Sequence, residues 1–526
     1  MKALLMHPDR DFDVDAPLPA NADTLAADLE LPTLWTAMAE GDETLLDVAR
    51  KAILLAASND AATVHHRQQA LADALAHPAQ VRELHALAVE AVEGRRKFWF
   101  GVFMNHPGGI LRSAVDLMRF FVDMLRKLRD FARRDGEVFG SPAFTALFAT
   151  LGTELDDDYL ATVQRHLKTL KFDDGVLISA SLGRGNRGIG HVLRLAPEKP
   201  PLWQRWWRPG PPRFDFRLHE RDEAGARLLG ELVDRGLNQT ANALAQSCDH
   251  VEGFFRMLRT ELAFYVACLN LHQKLGAVNA PSCMPEMAET GALRFDCADL
   301  RDPCLVLQKG AGVIGNTVTA DGRGLIVVTG ANQGGKSSFL RAFGVAQSMM
   351  QAGMFVCARA YAGERCSGVF THYKREEDAS LNRGKLDEEL ARLSEIADAI
   401  RPGSLFLSNE SFASTNEREG SEIARQVVGA LRERRIKVVA VTHLFDFAHR
   451  LAAEHRADTL FLRAERREDG SRPFELVVGE ALSTSFGQDL YAQVFGAVSP
   501  PPSPVPARCD TDPETAVEDS PPSAGR

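Results

Sequence analysis

Between residues 25 and about 275, apolar side chains recur three or four positions apart with few strand signals, which predicts a mainly helical region. The clearest stretches are Leu45-Leu46-Val48-Ala49-Ile53-Leu54, residues 111–131 and residues 251–275. The last, VEGFFRMLRTELAFYVACLNLHQKL, has neither Gly nor Pro after Gly253 and predicts a helix of about six turns or more. One segment interrupts the pattern. Residues 175–182 and 191–195 read as strands on either side of Gly183-Arg184-Gly185-Asn186-Arg187-Gly188, which satisfies G-x-G-x-x-G. A dinucleotide loop must open a helix, and a second strand-like run follows here, so the expectation is a β-hairpin with a glycine-rich tip. The Pro-rich stretch 197–212 carries Trp203, Trp206 and Trp207 among Arg205, Arg208 and Arg213. It reads either as a base-stacking surface or as an irregular loop with its aromatics folded inward.

From about Gly291 the texture changes to short apolar runs alternating with helical stretches, as in a parallel sheet with crossover helices. The runs are Leu325-Ile326-Val327-Val328, Leu405-Phe406-Leu407 and Val438-Val439-Ala440-Val441. The expected organisation is multidomain: an N-terminal segment 1–24, a mainly α-helical domain 25–290 with a β-hairpin near 175–195, an α/β domain 291–498, and a Pro-rich acidic tail 499–526 with almost nothing apolar to bury.

Composition narrows the class. At 526 residues, 45% hydrophobic and 25% charged, the chain has the proportions of a soluble globular protein with a large core. Neither a signal sequence nor an apolar run of membrane-spanning length is evident, so a cytoplasmic protein without membrane contact is expected. Eight cysteines lie scattered without a C-x-x-C pair, which argues against a zinc site or a disulfide framework. A net charge of -10 excludes an overall basic coat but permits a local basic face, and most of the 61 basic residues are arginines, suited to phosphates.

Gly330-Ala331-Asn332-Gln333-Gly334-Gly335-Lys336-Ser337 is a full G-x-x-x-x-G-K-[ST] loop, placed after a strand-like run and before a helical one that starts at Ser338 and ends near Gly353. That context is what a phosphate loop requires: backbone N–H groups at a helix N-terminus surround the phosphates, Lys336 reaches the β- and γ-phosphates of ATP, and Ser337 ligates Mg2+. The strand 405–407 runs into Ser408-Asn409-Glu410, about 75 positions later, where Glu410 would polarise the attacking water. Asn409 stands where such enzymes place a metal-directed Asp; its carbonyl still accepts but carries no charge. The third run ends in Thr442-His443, putting His443 at the carboxyl edge of the sheet as a γ-phosphate sensor.

TGANQGGKSSFLR, SLFLSNESFASTNEREGSEIA and VVAVTHLFDFA, in that order, resemble the ATPase of the MutS family over residues 291–497, and GEALSTSFG resembles the family's late Ser-Tyr-Gly segment. His65-His66-Arg67-Gln68-Gln69-Ala70-Leu71 more weakly resembles the Arg-Gln segment of its helical core and lever domain. The resemblance implies an ABC-like P-loop ATPase domain with residues Gly330 to Ser338 as the nucleotide loop, Glu410 as catalytic carboxylate, His443 as switch histidine, Asn409 and Ser337 at Mg2+, and Asn316 near the nucleotide base. It implies that Ser411 to Asn416 communicate across a homodimer. Two departures stand out: Asn409 itself, and Ser380-Leu381-Asn382-Arg383-Gly384-Lys385-Leu386, which lacks the serine of the family's trans-acting signature. Longer relatives carry an N-terminal mismatch-sensing domain with a Phe-x-Glu wedge; none fits before Leu25, so a short member is expected and mismatch recognition is not implied.

The functional expectation is an ATPase of DNA mismatch repair or recombination, a dimeric clamp on duplex, mismatched or branched DNA that opens and closes with nucleotide. The alternative is a nucleotide-switched scaffold with little hydrolysis and a protein partner. Arg95, Arg96, Lys97, Arg112, Arg119, Arg126, Lys127, Arg129, Arg133 and Arg134 read either as phosphate contacts or as a solvated helix face.

Overall fold

Helix starts in the first half are marked by side chains that satisfy otherwise unpaired N–H groups. Asp42 accepts from Thr44 N and Leu45 N, Asp60 from Thr63 N, and Asp156 from Tyr159 N, while Pro78, Pro107 and Pro142 occupy first-turn positions where no N–H is needed. The computed structural model describes residues 1–98, 106–173, 175–195, 214–375, 384–467 and 471–482. The Trp203-Trp206-Trp207 stretch, Ser380 to Arg383, residues 483–487 and the tail 499–526 lie outside the described residues.

The helices Glu43–Leu54, Ala61–Ala76, Pro78–Gly94 and Pro107–Asp135 pack around one long helix, Glu223–Ala277. This rod of 55 residues begins 28 positions before the expected 251. Its apolar burial is densest between Phe254 and Leu275. Toward the other end it meets a hairpin of β1 (Leu177–Leu182) and β2 (Gly188–Arg194), antiparallel, with Arg184 to Asn186 at the tip. The glycine-rich motif there is thus a hairpin tip, as expected. Gly236 lies under Ile178, and a side chain at 236 would collide with it, so the glycine serves close packing within the helix.

Residues 1–24 are part of the core. Leu5, Met6 and Phe12 are buried, and the Glu261 carboxylate on the long helix accepts from the N–H of Leu5 (2.6 Å), Met6 (3.3 Å) and Phe12 (2.7 Å). Tyr265 Oη donates to Leu5 O. Arg67, fully buried, donates to Met6 O at 2.8 Å and to Ala352 O at 3.3 Å, joining the N-terminal segment to the second half of the chain. Gly353 has φ +82°, and a Cβ there would strike Arg67.

Among the described residues, the second half holds two sheets. The smaller has the order β3 (Glu286–Ala288), β7 (Ala360–Glu364), β4 (Phe295–Leu300), β5 (Asn316–Thr319), so it takes in residues ahead of 291. The larger has the order β12 (Leu476–Val478), β11 (Thr459–Ala464), β6 (Leu325–Gly330), β10 (Lys437–Val441), β9 (Leu405–Asn409), β8 (Val369–Tyr373). All pairs are parallel except β11 with β12, and the central strands are buried on both faces, which is why they read as unbroken apolar runs. No helix among the described residues is long and apolar enough to cross a membrane.

Seven of the ten basic residues considered as phosphate contacts are paired with acids of the helical body. Arg95 pairs with Glu252, Arg119 with Asp116, Arg126 with Asp123, Lys127 with Glu90, Arg129 and Arg133 with Asp157, and Arg134 with Glu83. This favours the helix-face reading over the phosphate-contact one, because these cations are already partly neutralised.

Candidate functional site

The register of the large sheet aligns three strand ends. Val441 of β10 lies between Val328 of β6 and Asn409 of β9. The glycine-rich loop, Asn409-Glu410 and Thr442-His443 therefore leave the same edge side by side, where ligands bind in open parallel sheets.

From β6 the chain runs through Ala331 to Gly335 into the helix Lys336–Gln351. Gly330 (φ +108°) and Gly335 (φ +87°) sit in the left-handed region. A Cβ on Gly330 would press on the Ala464 backbone and one on Gly335 on the Phe474 carbonyl, so both positions need glycine for conformation and for space. Asn332, Gln333 and Ser337 are exposed, Ser338 is half-buried, and Ala331, Gly334 and Lys336 are buried. Lys336 Nζ donates to Gly330 O and Ala331 O, both at 2.8 Å, closing the loop around the ammonium. Burial lowers its pKa to about 8, with the Glu410 charge acting the other way and that of Arg472 reinforcing the fall.

Ser337 Oγ donates to Asn409 Oδ1 at 3.1 Å, and Glu410 Oε1 lies 2.7 Å from His443 Nε2. Glu410 is in the left-handed region (φ +55°) and its N–H donates to Val441 O. The His443 hydrogen bond holds the Glu410 carboxyl below the usual carboxylate range, against the opposing pull of burial and with help from Lys336 and Lys374. Asn316 stands on the other side of the loop in an open cleft of about 260 Å³ with Gln333, Gly335, Ser338, Phe339 and Phe474. Its Oδ1 accepts from Leu476 N at 2.8 Å, so it fastens β12 over the cleft. Of the loop Ser411 to Asn416, Asn416 caps the helix Glu417–Glu433 by accepting from Glu419 N.

Two family models match this chain: the MutS2 N-terminal domain over residues 59–278 and MutS domain V over residues 326–496. The chain belongs to the MutS family. It is 28% identical over 219 residues to an Endonuclease MutS2 of Carboxydothermus hydrogenoformans (41% of this chain, 27% of the relative), and 30% identical over 186 residues to one of Clostridium novyi (35% and 22%). It is also 24% identical over 166 residues to the human MutS protein homolog 4 (32% and 18%). The matches thus span about a quarter or less of these relatives' length.

Within this MutS-family chain, Phe474, Lys374 and Arg472 escaped the sequence reading. Phe474 packs against Gly335 from the irregular stretch before β12, and the charges of Lys374 and Arg472 bear on Glu410 and Lys336. Their signal is positional only: Lys374 follows Tyr373, the β8 residue in register with Asn409, and Arg472 precedes a strand that no motif marks.

Proposed function

We propose that the chain binds ATP with Mg2+ at the glycine-rich loop and hydrolyses it slowly, in a dimeric clamp acting on DNA. The observation that carries this reading is the convergence of Lys336, the Ser337–Asn409 pair and the Glu410–His443 pair at one sheet edge. Loop N–H groups and Lys336 would take the phosphates, and the adenine would lie in the cleft beside Phe474. Glu410, kept ionised by His443, would accept a hydrogen bond from the attacking water. The water oxygen would bond to the γ-phosphorus as the bond from phosphorus to the ADP oxygen breaks, with one water proton passing to Glu410.

Ser337 Oγ and Asn409 Oδ1 are neutral hard oxygens, and among the described residues no cluster of three His, Cys, Asp or Glu side chains gathers elsewhere as a metal site. Two such donors suit Mg2+, which keeps phosphate and water ligands. When bound, that ion would offset the charge of the β- and γ-phosphates. The missing carboxylate leads to a specific expectation: Asn409→Asp should lower the Mg2+ concentration for half-maximal turnover and raise the rate, so long as the added charge beside Glu410 does not raise the latter's pKa. A magnesium titration of both proteins checks this, and unchanged midpoint and rate would remove position 409 from the metal.

For DNA, the hairpin tip is a better candidate than the paired helix face, because Arg184 and Arg187 are exposed there on a glycine-rich turn. In an Arg184→Ala/Arg187→Ala protein, retention on duplex DNA should weaken, and the slope of log affinity against log salt should fall by about 0.9 for each phosphate no longer neutralised. An unchanged slope would place DNA elsewhere. Turnover with and without paired, mismatched and branched DNA tests the whole reading: stimulation by DNA supports the clamp. The neutral Asn409 favours a second reading, a nucleotide-switched scaffold, in which turnover stays low and indifferent to DNA.

A further inference from the structure

The helix Lys385–Ala399 lays Leu386, Leu393 and Ile396 partly buried against the core, yet its single fully buried residue is an acid, Glu389, 4% exposed. Its two oxygens are both engaged. Oε2 accepts from the Phe412 N–H at 2.8 Å and Oε1 from the Ser414 hydroxyl at 2.7 Å. Both donors belong to the loop that follows Glu410. That loop is unusual in its backbone: Glu410 (φ +55°) and Phe412 (φ +63°) are both left-handed without being glycine, a conformation that persists only where surrounding contacts impose it.

A second group holds the same loop from β8. His372, buried on β8, has Nδ1 2.6 Å from Ser411 Oγ and Nε2 3.1 Å from the Glu389 carbonyl. Burial lowers the pKa of this ring, so it is neutral. Nε2 then carries the proton and donates to the carbonyl, and the single Ser411 hydroxyl proton is shared between Nδ1 and the His372 carbonyl oxygen, 2.9 Å away. Ser411 Oγ also lies 2.8 Å from Ser408 Oγ, and the imidazole is stacked with Phe412. From Ser408 to Ser414, the polar groups of this turn are thus fastened to β8 and to the helix that carries Glu389. A buried carboxylate is costly for a fold to keep unless its geometry is used, and here its geometry sets the turn on which Glu410 stands.

We propose that Glu389 is a positioning residue for ATP hydrolysis: by fixing the Phe412 turn it aims Glu410, two residues upstream, and His372 ties that turn to β8. This rests on the reading of Glu410 as the hydrolytic carboxylate. On the same reading, nucleotide binding is carried by the loop after β6 and by Lys336 at the start of the next helix, so it should be insensitive to Glu389.

The test compares the full-length parent with Glu389→Gln, Glu389→Asp and Glu410→Gln. Measured are kcat and KM for ATP, equilibrium affinity for a fluorescent ATP analogue, and amide hydrogen exchange. Glu389→Gln puts an amide donor where an acceptor is needed. It should lower kcat about tenfold to a hundredfold, the scale of misplacing a catalytic group by about an ångström. Nucleotide affinity should stay within about twofold by the same reasoning, and exchange should quicken at residues 411–416 alone. Glu389→Asp, with both acceptors retained, should recover part of the loss. Ser414→Ala, which deletes one donor from a half-buried side chain, should show the same split more weakly and serves if Glu389→Gln does not fold. The proposal is overturned if kcat stays at the parental value, or if rate, affinity and exchange across the chain all change together. An idle parent, or a Glu410→Gln protein as fast as the parent, would instead defeat the ATPase reading itself.

Discussion

Glu410→Gln is expected to bind ATP as tightly as the parent and to lose turnover by about a hundredfold or more, the usual scale for removing a positioned acid–base group. The amide has the same size and still reaches His443, but it cannot accept a proton-sharing hydrogen bond from water with a full negative charge. The parent carboxylate is ready for that role across the neutral range, since its pKa lies below the usual value, chiefly through the His443 hydrogen bond. The sign follows directly: a depressed carboxylate remains charged as pH falls from 8 to 6, so Glu410 contributes no acid limb to the rate profile in that window. Phosphate release at steady state, set beside equilibrium nucleotide binding, checks both halves. Equal rates would remove Glu410 from catalysis.

Lys336→Ala should act at the earlier stage and abolish tight ATP binding, because its ammonium is the buried cation that the loop carbonyls of Gly330 and Ala331 hold in place. The wild-type protein offers a second readout without mutation. With its pKa near 8, the amine is charged at pH 7 and mostly neutral at pH 9. Binding a polyphosphate favours the charged form, so above about pH 8 binding must take up a proton and affinity should fall by up to about tenfold per pH unit. Calorimetry at pH 7 and pH 9 in two buffers of different ionisation enthalpy would detect that uptake. A pH-independent affinity would mean that Lys336 does not face the phosphates.

The loop and the three strand ends were legible because their signals are local: an apolar run buried on both faces, a change to glycine or polar residues, then a helix. The long helix was read too short because the glycines at 225, 230, 236 and 253 count as interruptions in a linear pattern. Gly236 in fact admits the hairpin residue Ile178 against the helix, a contact invisible along the chain. The N-terminal segment carries no periodicity, and its anchor, Glu261, is some 250 residues away. The basic helix face stays open between two readings in the sequence for a similar reason, since Glu252, Asp157 and Glu83 sit on other helices. Asn316 was placed near a nucleotide base, and it does line the cleft, but its amide oxygen is spent on Leu476. Glu389 and His372 lack any motif: an acid in an acidic helix stands out only when its burial is known.

At about 1.5 Å per residue, the helix Glu223–Ala277 is about 80 Å long. Its densely buried stretch from Phe254 to Leu275 grips the N-terminal segment through Glu261 and Tyr265, and that segment touches, through Arg67, the far end of the helix that starts at Lys336. Mechanically this is a beam with one clamped root and a free end that runs past the hairpin contact at Gly236. The arm beyond that root, residues 223–253, is about 46 Å long, so a tilt of about 5° at the root carries its end through about 4 Å. A shift too small to disturb packing at the root would therefore be a displacement of several ångströms at the start of the helix, and the gain is set by the length of the free arm.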